Sequence, residues 1–177
     1  KEKNTMEFTI NNMNRGNLVH EVIEKLYLPY ENQILSVPDF QEMKKRLLPL
    51  MEEHYKSIYH GTHKKTGRNH IIFQVLKKSI LDFLEVEQKQ VKEGNQIKIL
   101  HLEHPFERSV SIPGIDFPIK IIGAIDRIDL YNETLRIIDY KTGKIELKHL
   151  NLPYWEVFDE QTEYAYLFQI LLYSYVQ

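Results

Sequence analysis

Apolar residues recur at helical spacing in the first half of the chain. Residues 15–27, 40–59 and 70–92 each place apolar side chains three or four positions apart, which predicts three amphipathic helices. Gly94 follows the third helix as a stop signal. Between the second and third helices, residues 60–69 contain two glycines and many polar side chains, so we expect a loop there.

The pattern changes after Gly94. Residues 97–103 and 106–112 read as two strands, and the isoleucine-rich residues 119–130 and 135–140 read as a hairpin. Residues 162–176 return to helical spacing. Helices, then a mostly antiparallel sheet, then a helix predict an α/β fold of the mixed α+β kind.

The length of 177 residues suits one compact domain. We therefore expect a single domain over residues 1–177, with a helical region at about 15–93 and a sheet core with the final helix at about 96–177. The chain begins without Met and stops inside an apolar pattern, so we expect a fragment of a larger protein.

Composition excludes several kinds of site and location. The sequence contains no cysteine, which excludes disulfides, thiolate catalysis and cysteine-ligated zinc or iron–sulfur centres within it. It contains no apolar run of membrane-spanning length and no apolar signal segment at its start, so we expect no membrane partner. We expect a cytoplasmic setting.

The formal net charge of −2 argues mildly against a nucleic-acid binder. However, the stretch from Lys56 to Lys78 carries six basic residues and no acid. It fits either a phosphate-backbone contact or a solvated loop and helix face, and the sequence leaves both interpretations open.

The predicted hairpin brings two carboxylates together. A turn centred on Asn132 and Glu133 sets Asp126 opposite Asp139, with Cβ atoms roughly 4.5–5.5 Å apart. Lys141 emerges on the same face, two residues beyond Asp139. Two opposed like charges need compensation, and a hard divalent cation that activates water would supply it. A structural Asp–Lys–Asp cluster is the alternative.

Alternate residues of a strand face opposite sides of the sheet, and this separates two other charged residues from Asp126, Asp139 and Lys141. Arg127 and Asp129 fall on the opposite face of the strand, where they form a structural or substrate-side pair. Gly123 lies near the strand start, where a missing side chain allows another chain or ligand to approach closely.

Two motifs frame the hairpin: Gly123-Ala-Ile-Asp126-Arg-Ile-Asp129 and Asp139-Tyr-Lys141-Thr-Gly143. In this paired form the chain resembles the PD-(D/E)XK nuclease superfamily. More narrowly, it resembles the RecB-type nuclease domain at the C-termini of bacterial helicase–nucleases such as RecB and AddB. The resemblance runs from Gly16 to Tyr173. It implies a central mixed β-sheet flanked by helices, that is, a restriction-endonuclease-like core with an N-terminal helical region.

The resemblance also implies a metal site. Mg²⁺ or Mn²⁺ would be held by side chains of His20, Asp126 and Asp139 and by the backbone carbonyl of Tyr140, and Lys141 would be the catalytic lysine. Without the resemblance, a histidine in an amphipathic helix would be read as a packing or surface residue. Three more residues match the family as supporting or DNA-positioning groups: Glu103, Gln169 and Tyr173. Gln169 and Tyr173 share one helical face, and core packing is the alternative role for that pair.

The function implied is metal-dependent hydrolysis of DNA phosphodiester bonds. We expect an exonuclease that acts on single strands or ends during double-strand-break repair and recombination in the bacterial cytoplasm. Its expected partner is a helicase domain or subunit of the same complex. The alternative is a DNA-binding or interaction module that does not cleave. Some relatives hold a four-cysteine iron–sulfur cluster, which this cysteine-free sequence excludes within itself.

Overall fold

The computed structural model describes residues 12–59 and 67–176, which divide into two compact units. The first unit contains the described residues up to position 96 apart from 31–33. The second contains residues 31–33 and those from position 97 onward. The grouping of both units into a single domain stays a prediction.

The first unit consists of α1 (Asn12–Tyr27), α2 (Val37–Tyr59) and α3 (Gly67–Lys92), so the three predicted helices are confirmed. The structure starts α2 three residues earlier than the predicted position 40. The Asp39 carboxylate accepts hydrogen bonds from the backbone N–H and the hydroxyl of Ser36, at 2.7 and 2.6 Å. These two hydrogen bonds to Ser36, the residue before α2, stabilise the first turn of the helix at this earlier position.

The basic stretch lies only partly within the described residues. His60, His63, Lys64 and Lys65 are outside them, as is most of the predicted loop at 60–69, and α3 begins at Gly67. Lys78, within α3, forms an exposed ion pair with Asp82 at 2.8 Å. Within the described part of the chain, no helix is long and apolar enough to cross a membrane.

The second unit is built on a three-stranded sheet with the order β1-β2-β3. Its strands are β1 (Ile97–Val110), β2 (Ile119–Tyr131) and β3 (Thr134–Ile138), and both pairings are antiparallel. A short helix, α4 (Val157–Glu160), precedes α5 (Ala165–Val176), which begins three residues after the predicted position 162. A single 3-10 turn occupies those three residues. The mixed α+β class is confirmed, and every strand pairing among the described residues is antiparallel.

The prediction of two separate strands at 97–103 and 106–112 is wrong. A single strand, β1, runs through both and pairs with β2 up to Val110, with an irregularity in the register between Ile99 and His101. Pro105 does not interrupt it, because β1 is an edge strand, where a missing N–H is tolerated.

The predicted register of the hairpin formed by β2 and β3 is confirmed from the pair Tyr131–Thr134, next to the turn, to the pair Arg127–Ile138. The recorded pairing ends at Arg127 and Ile138, so β3 stops two residues before the predicted end at 140. Asp139 therefore follows directly after the last residue of the ladder, and other contacts must fix its position.

Helix α5 packs on the sheet. Tyr173 and Val176 form a buried cluster with Ile125 and Ile128 of β2. Phe106 of β1 joins this cluster and meets the Tyr173 ring edge-on, with centroids 5.8 Å apart. This packing places α5 beside the part of β2 that carries the predicted site.

Gly123 makes that packing possible. A Cβ atom at this position would lie only 2.7 Å from Cζ of Phe106. Such a distance is far below van der Waals contact, so any side chain would displace the Phe106 ring that packs against Tyr173. The close approach expected at Gly123 is therefore made by the neighbouring strand.

We predict that Gly123→Ala lowers the free energy of unfolding by about 1–3 kcal/mol, because the added methyl group overpacks this contact. Thermal or denaturant unfolding measures the change. Phe106→Leu in the Gly123→Ala background should recover part of the loss. Gly16→Ala, inside α1, is the control, since a Cβ built there meets no atom within 4 Å beyond its chain neighbours and its own helix backbone, and it should leave stability unchanged or raise it slightly. Equal stability of Gly123→Ala and wild type would contradict the contact.

Candidate active site

Asp126 joins the end of β3 to β2. Its side chain is buried in β2, and Oδ2 accepts a hydrogen bond of 2.6 Å from the backbone N–H of Tyr140. A charged acceptor makes this a strong bond, and burial shields it from water. It holds residues 139–141 against β2 just beyond the end of the strand ladder.

Asp139 and Lys141 form a close ion pair. Nζ of Lys141 lies 2.6 Å from Oδ2 of Asp139, and both side chains are largely shielded from solvent. The same ammonium group lies 5.2 Å from the ring centroid of Tyr166 in α5, a cation–π contact. The structure thus brings the predicted Asp139–Lys141 pair together and adds an aromatic ring that the sequence analysis did not identify.

Glu103 is the second carboxylate beside Asp126. A ligand oxygen of Glu103 and one of Asp126 lie within 4.8 Å of each other. Glu103 has a positive φ of 44°, a conformation that is costly for a residue with a side chain and recurs at functional sites. This backbone lies in β1, between the residues paired with Arg127 and Ile125.

The donor chemistry of this pair fits a hard divalent cation. Two carboxylates from neighbouring strands repel each other unless a positive charge lies near both. Oxygen donors of this type are those that Mg²⁺ and Mn²⁺ take in proteins. Glu103, expected from the sequence only as a supporting residue, has its carboxylate close to that of Asp126 in the structure.

His20 lies on α1 in the helical unit, where its side chain is partly buried. Its proposed role as a metal ligand depends on the sequence motif and stays a prediction. The same holds for the backbone carbonyl of Tyr140, whose side chain is buried in the second unit.

Gln169 and Tyr173 reach the same strand from α5. Nε2 of Gln169 donates to the Tyr173 hydroxyl at 2.5 Å, and that hydroxyl donates to the Ala124 carbonyl at 3.1 Å. Ala124 precedes Asp126 by two residues on β2. The pair therefore links the helix to the strand that carries the buried carboxylate, and it contributes to packing as well.

The Tyr173 hydroxyl stays protonated in this setting. Burial raises its pKa, and the negative charges of Asp139, Asp126 and Glu103 raise it further, against a lowering effect of the bond from Gln169. A neutral hydroxyl is the form that can donate to the Ala124 carbonyl.

A buried ion network supports the other side of β2. Arg127 and Asp129 are fully buried, and the Arg127 guanidinium donates to the Asp129 carboxylate through Nε at 2.8 Å and also through Nη2. Arg136 of β3 donates to the same carboxylate at 2.8 and 2.9 Å. Nη1 of Arg127 also reaches the Tyr140 hydroxyl at 3.5 Å. Tyr140 is thus bonded at two points: its hydroxyl to Arg127 of this network, and its backbone N–H to Asp126.

The sequence carries a signal for two residues that were not predicted, Arg136 and Tyr166. Arg136 stands opposite Asp129 in the predicted register, so the ion pair followed from the hairpin alone. Tyr166 precedes Gln169 by three residues and Tyr173 by seven, a spacing that puts all three on one face of a helix.

Comparison with known proteins adds the family. The family model for the PD-(D/E)XK nuclease superfamily matches residues 2–177, almost the whole chain. No curated protein and no solved structure matches the chain.

We predict that Asp129→Asn lowers the free energy of unfolding by about 3–5 kcal/mol, because it leaves two guanidinium groups without their shared buried counter-charge. Unfolding by denaturant measures the loss. Asp82→Asn is the matched control, since it makes the same change in an exposed pair with Lys78 and should alter stability little. Similar small effects at both positions would contradict a structural role for the network.

Proposed function

Because the chain belongs to the PD-(D/E)XK nuclease superfamily, we propose that it hydrolyses phosphodiester bonds of DNA in a reaction that requires a divalent cation. The observation that supports this most directly is the pair of carboxylates, Glu103 and Asp126, within 4.8 Å of each other. Asp126 also accepts a hydrogen bond from the N–H of Tyr140, so this bond ties the β2 carboxylate to the segment that carries Lys141.

We propose that Asp126 and Asp139, the Tyr140 carbonyl and His20 hold Mg²⁺ or Mn²⁺, with Glu103 supporting Asp126. The superfamily motifs support the four ligands. The distance between the carboxylates of Glu103 and Asp126 supports the role of Glu103. When bound, such a cation activates water and offsets negative charge on the phosphoryl group.

Lys141 is the proposed catalytic lysine. Its ammonium group is held at 2.6 Å from Asp139 and over the Tyr166 ring, so its position is fixed before substrate arrives. From there it orients the attacking water or offsets charge that develops in the transition state. The link from Gln169 through Tyr173 to β2 keeps Asp126 in register with it.

The biological setting is proposed from the motif resemblance. The domain would act as an exonuclease on single-stranded DNA or DNA ends, within a bacterial helicase–nuclease that processes double-strand breaks in the cytoplasm for repair and recombination. The chain would be one domain of that larger protein, and the helicase domain or subunit its partner. The two RecB-type motifs support this setting.

We predict that Lys141→Ala and Asp139→Ala each lower Mg²⁺-dependent cleavage of linear single-stranded DNA by about 100-fold or more, because the first removes the proposed catalytic ammonium group and the second a proposed metal ligand. Gel assays under single-turnover conditions measure the rates. Lys120→Ala and Asp116→Ala, on exposed parts of the sheet unit, are the matched controls and should keep the wild-type rate. Circular dichroism would check that all variants fold.

Two results would contradict the proposal in different ways. Full activity of Lys141→Ala would remove the lysine from the mechanism. DNA binding by the wild type without cleavage, in both Mg²⁺ and Mn²⁺, would identify a binding module instead of a nuclease.

We predict that calorimetric titration with Mn²⁺ detects binding to the wild type and to Lys141→Ala. Asp126→Ala and His20→Ala should bind at least about 10-fold more weakly, because each loses a ligand. Asp116→Ala serves as the control for a general change in charge. Unchanged binding by His20→Ala would leave the carboxylates as the metal site without that histidine.

A further inference from the structure

A pocket of about 370 Å³ lies beside the loop that follows β3. Its lining includes the apolar residues Ile145, Leu150 and Ala165 and the aromatic residue Tyr166. This volume lies within the range of pockets that take small ligands, and an aromatic residue in the lining can stack on a planar group. All its lining residues belong to the second unit.

Tyr166 connects this pocket to the proposed active site. Tyr166 lines the pocket, and its ring centroid lies 5.2 Å from Nζ of Lys141. A Cβ atom at Gly143, in the motif that contains Lys141, would lie 3.8 Å from the Tyr166 hydroxyl. A group bound in the pocket would therefore be separated from the lysine by a single side chain.

The charges around the pocket favour a neutral ligand. Lys144, Glu146 and Glu163 line it, so its own side chains carry no positive surplus. Lys144 is already paired with Glu146 at 2.8 Å, and Lys148 pairs with the same carboxylate at 3.0 Å. Two lysines and two glutamates thus balance in charge around the pocket, so it offers a phosphate group no positive surplus, and an uncharged base fits this balance better.

We propose that this pocket binds an unpaired nucleobase of the DNA strand, stacked on Tyr166, next to the bond that is cleaved. The proposal rests on the proposed nuclease function and assigns a base-binding subsite to it. A paired base cannot enter such a pocket without leaving its duplex, so the subsite selects single-stranded DNA.

The test is the cleavage pattern of a single-stranded oligonucleotide that contains one abasic residue. Under single-turnover conditions, we expect cleavage to fall about 10-fold at one bond at a fixed offset from the abasic residue, because stacking of one base is lost. The other bonds should be cut as in the unmodified strand. An unchanged pattern would overturn the proposal.

Tyr166→Leu separates stacking from an effect through Lys141. If the ring stacks on the base, this variant cuts the unmodified strand about 10-fold more slowly and loses nothing further at the affected bond of the abasic strand. Equal losses on both strands would mean that Tyr166 acts only by positioning Lys141, and would overturn the base pocket. Tyr166→Phe should retain most of the wild-type rate.

The same helix offers a matched control. Tyr175 is 67% exposed and lies outside the pocket lining, so Tyr175→Leu makes the same chemical change away from the pocket. It should leave the rate and the pattern unchanged. Ala165→Leu, which narrows the pocket without removing the ring, should reduce cleavage of the unmodified strand more than that of the abasic one.

A binding measurement distinguishes failure of this proposal from failure of the nuclease assignment. In EDTA, fluorescence anisotropy compares a normal strand with a fully abasic strand of equal length. The wild type should prefer the normal strand about 10-fold, and Tyr166→Leu should lose that preference. This result without any cleavage in Mg²⁺ or Mn²⁺ would support the pocket and overturn the nuclease. Cleavage without this preference for the normal strand would support the nuclease assignment and overturn the base pocket.

Discussion

The Asp126 carboxylate accepts a hydrogen bond from the backbone N–H of Tyr140 at 2.6 Å, and the arrangement of the proposed site depends on this bond. The ladder between β2 and β3 has its last pair at Arg127 and Ile138. Beyond that pair, sheet hydrogen bonds no longer fix the chain. The buried carboxylate takes over this function, and because Lys141 follows Tyr140 directly, the same bond places the lysine.

Both faces of β2 serve this arrangement. From Ile125 to Asp129 every side chain of the strand is buried, which is unusual for a strand that carries three charged residues in that span. On one face, Arg127 and Arg136 neutralise Asp129, and Arg127 also donates to the Tyr140 hydroxyl. On the other, carboxylate oxygens of Asp126 and Glu103 lie within 4.8 Å of each other, a repulsion that a divalent cation would relieve.

Helix α5 contacts β2, Lys141 and the pocket. Tyr173 donates to the β2 backbone, and Tyr166, two turns earlier on the same face, lies against Lys141 and lines the pocket. Gly123 allows this helix to sit close, because Phe106 occupies the space of its missing side chain and packs against Tyr173. A side chain at Gly123 would therefore alter the position of α5 through packing, although Gly123 contacts no reacting group.

The sequence by itself determined the helices, the register of the second hairpin and the paired motifs, because helical periodicity and a tight turn act over a few residues. Only the tertiary structure decided that β1 runs unbroken past Pro105, that Glu103 approaches Asp126, and that Tyr166 lies over Lys141. Each of these depends on an irregular backbone or on packing between segments far apart in the chain, and local patterns carry no information about such contacts.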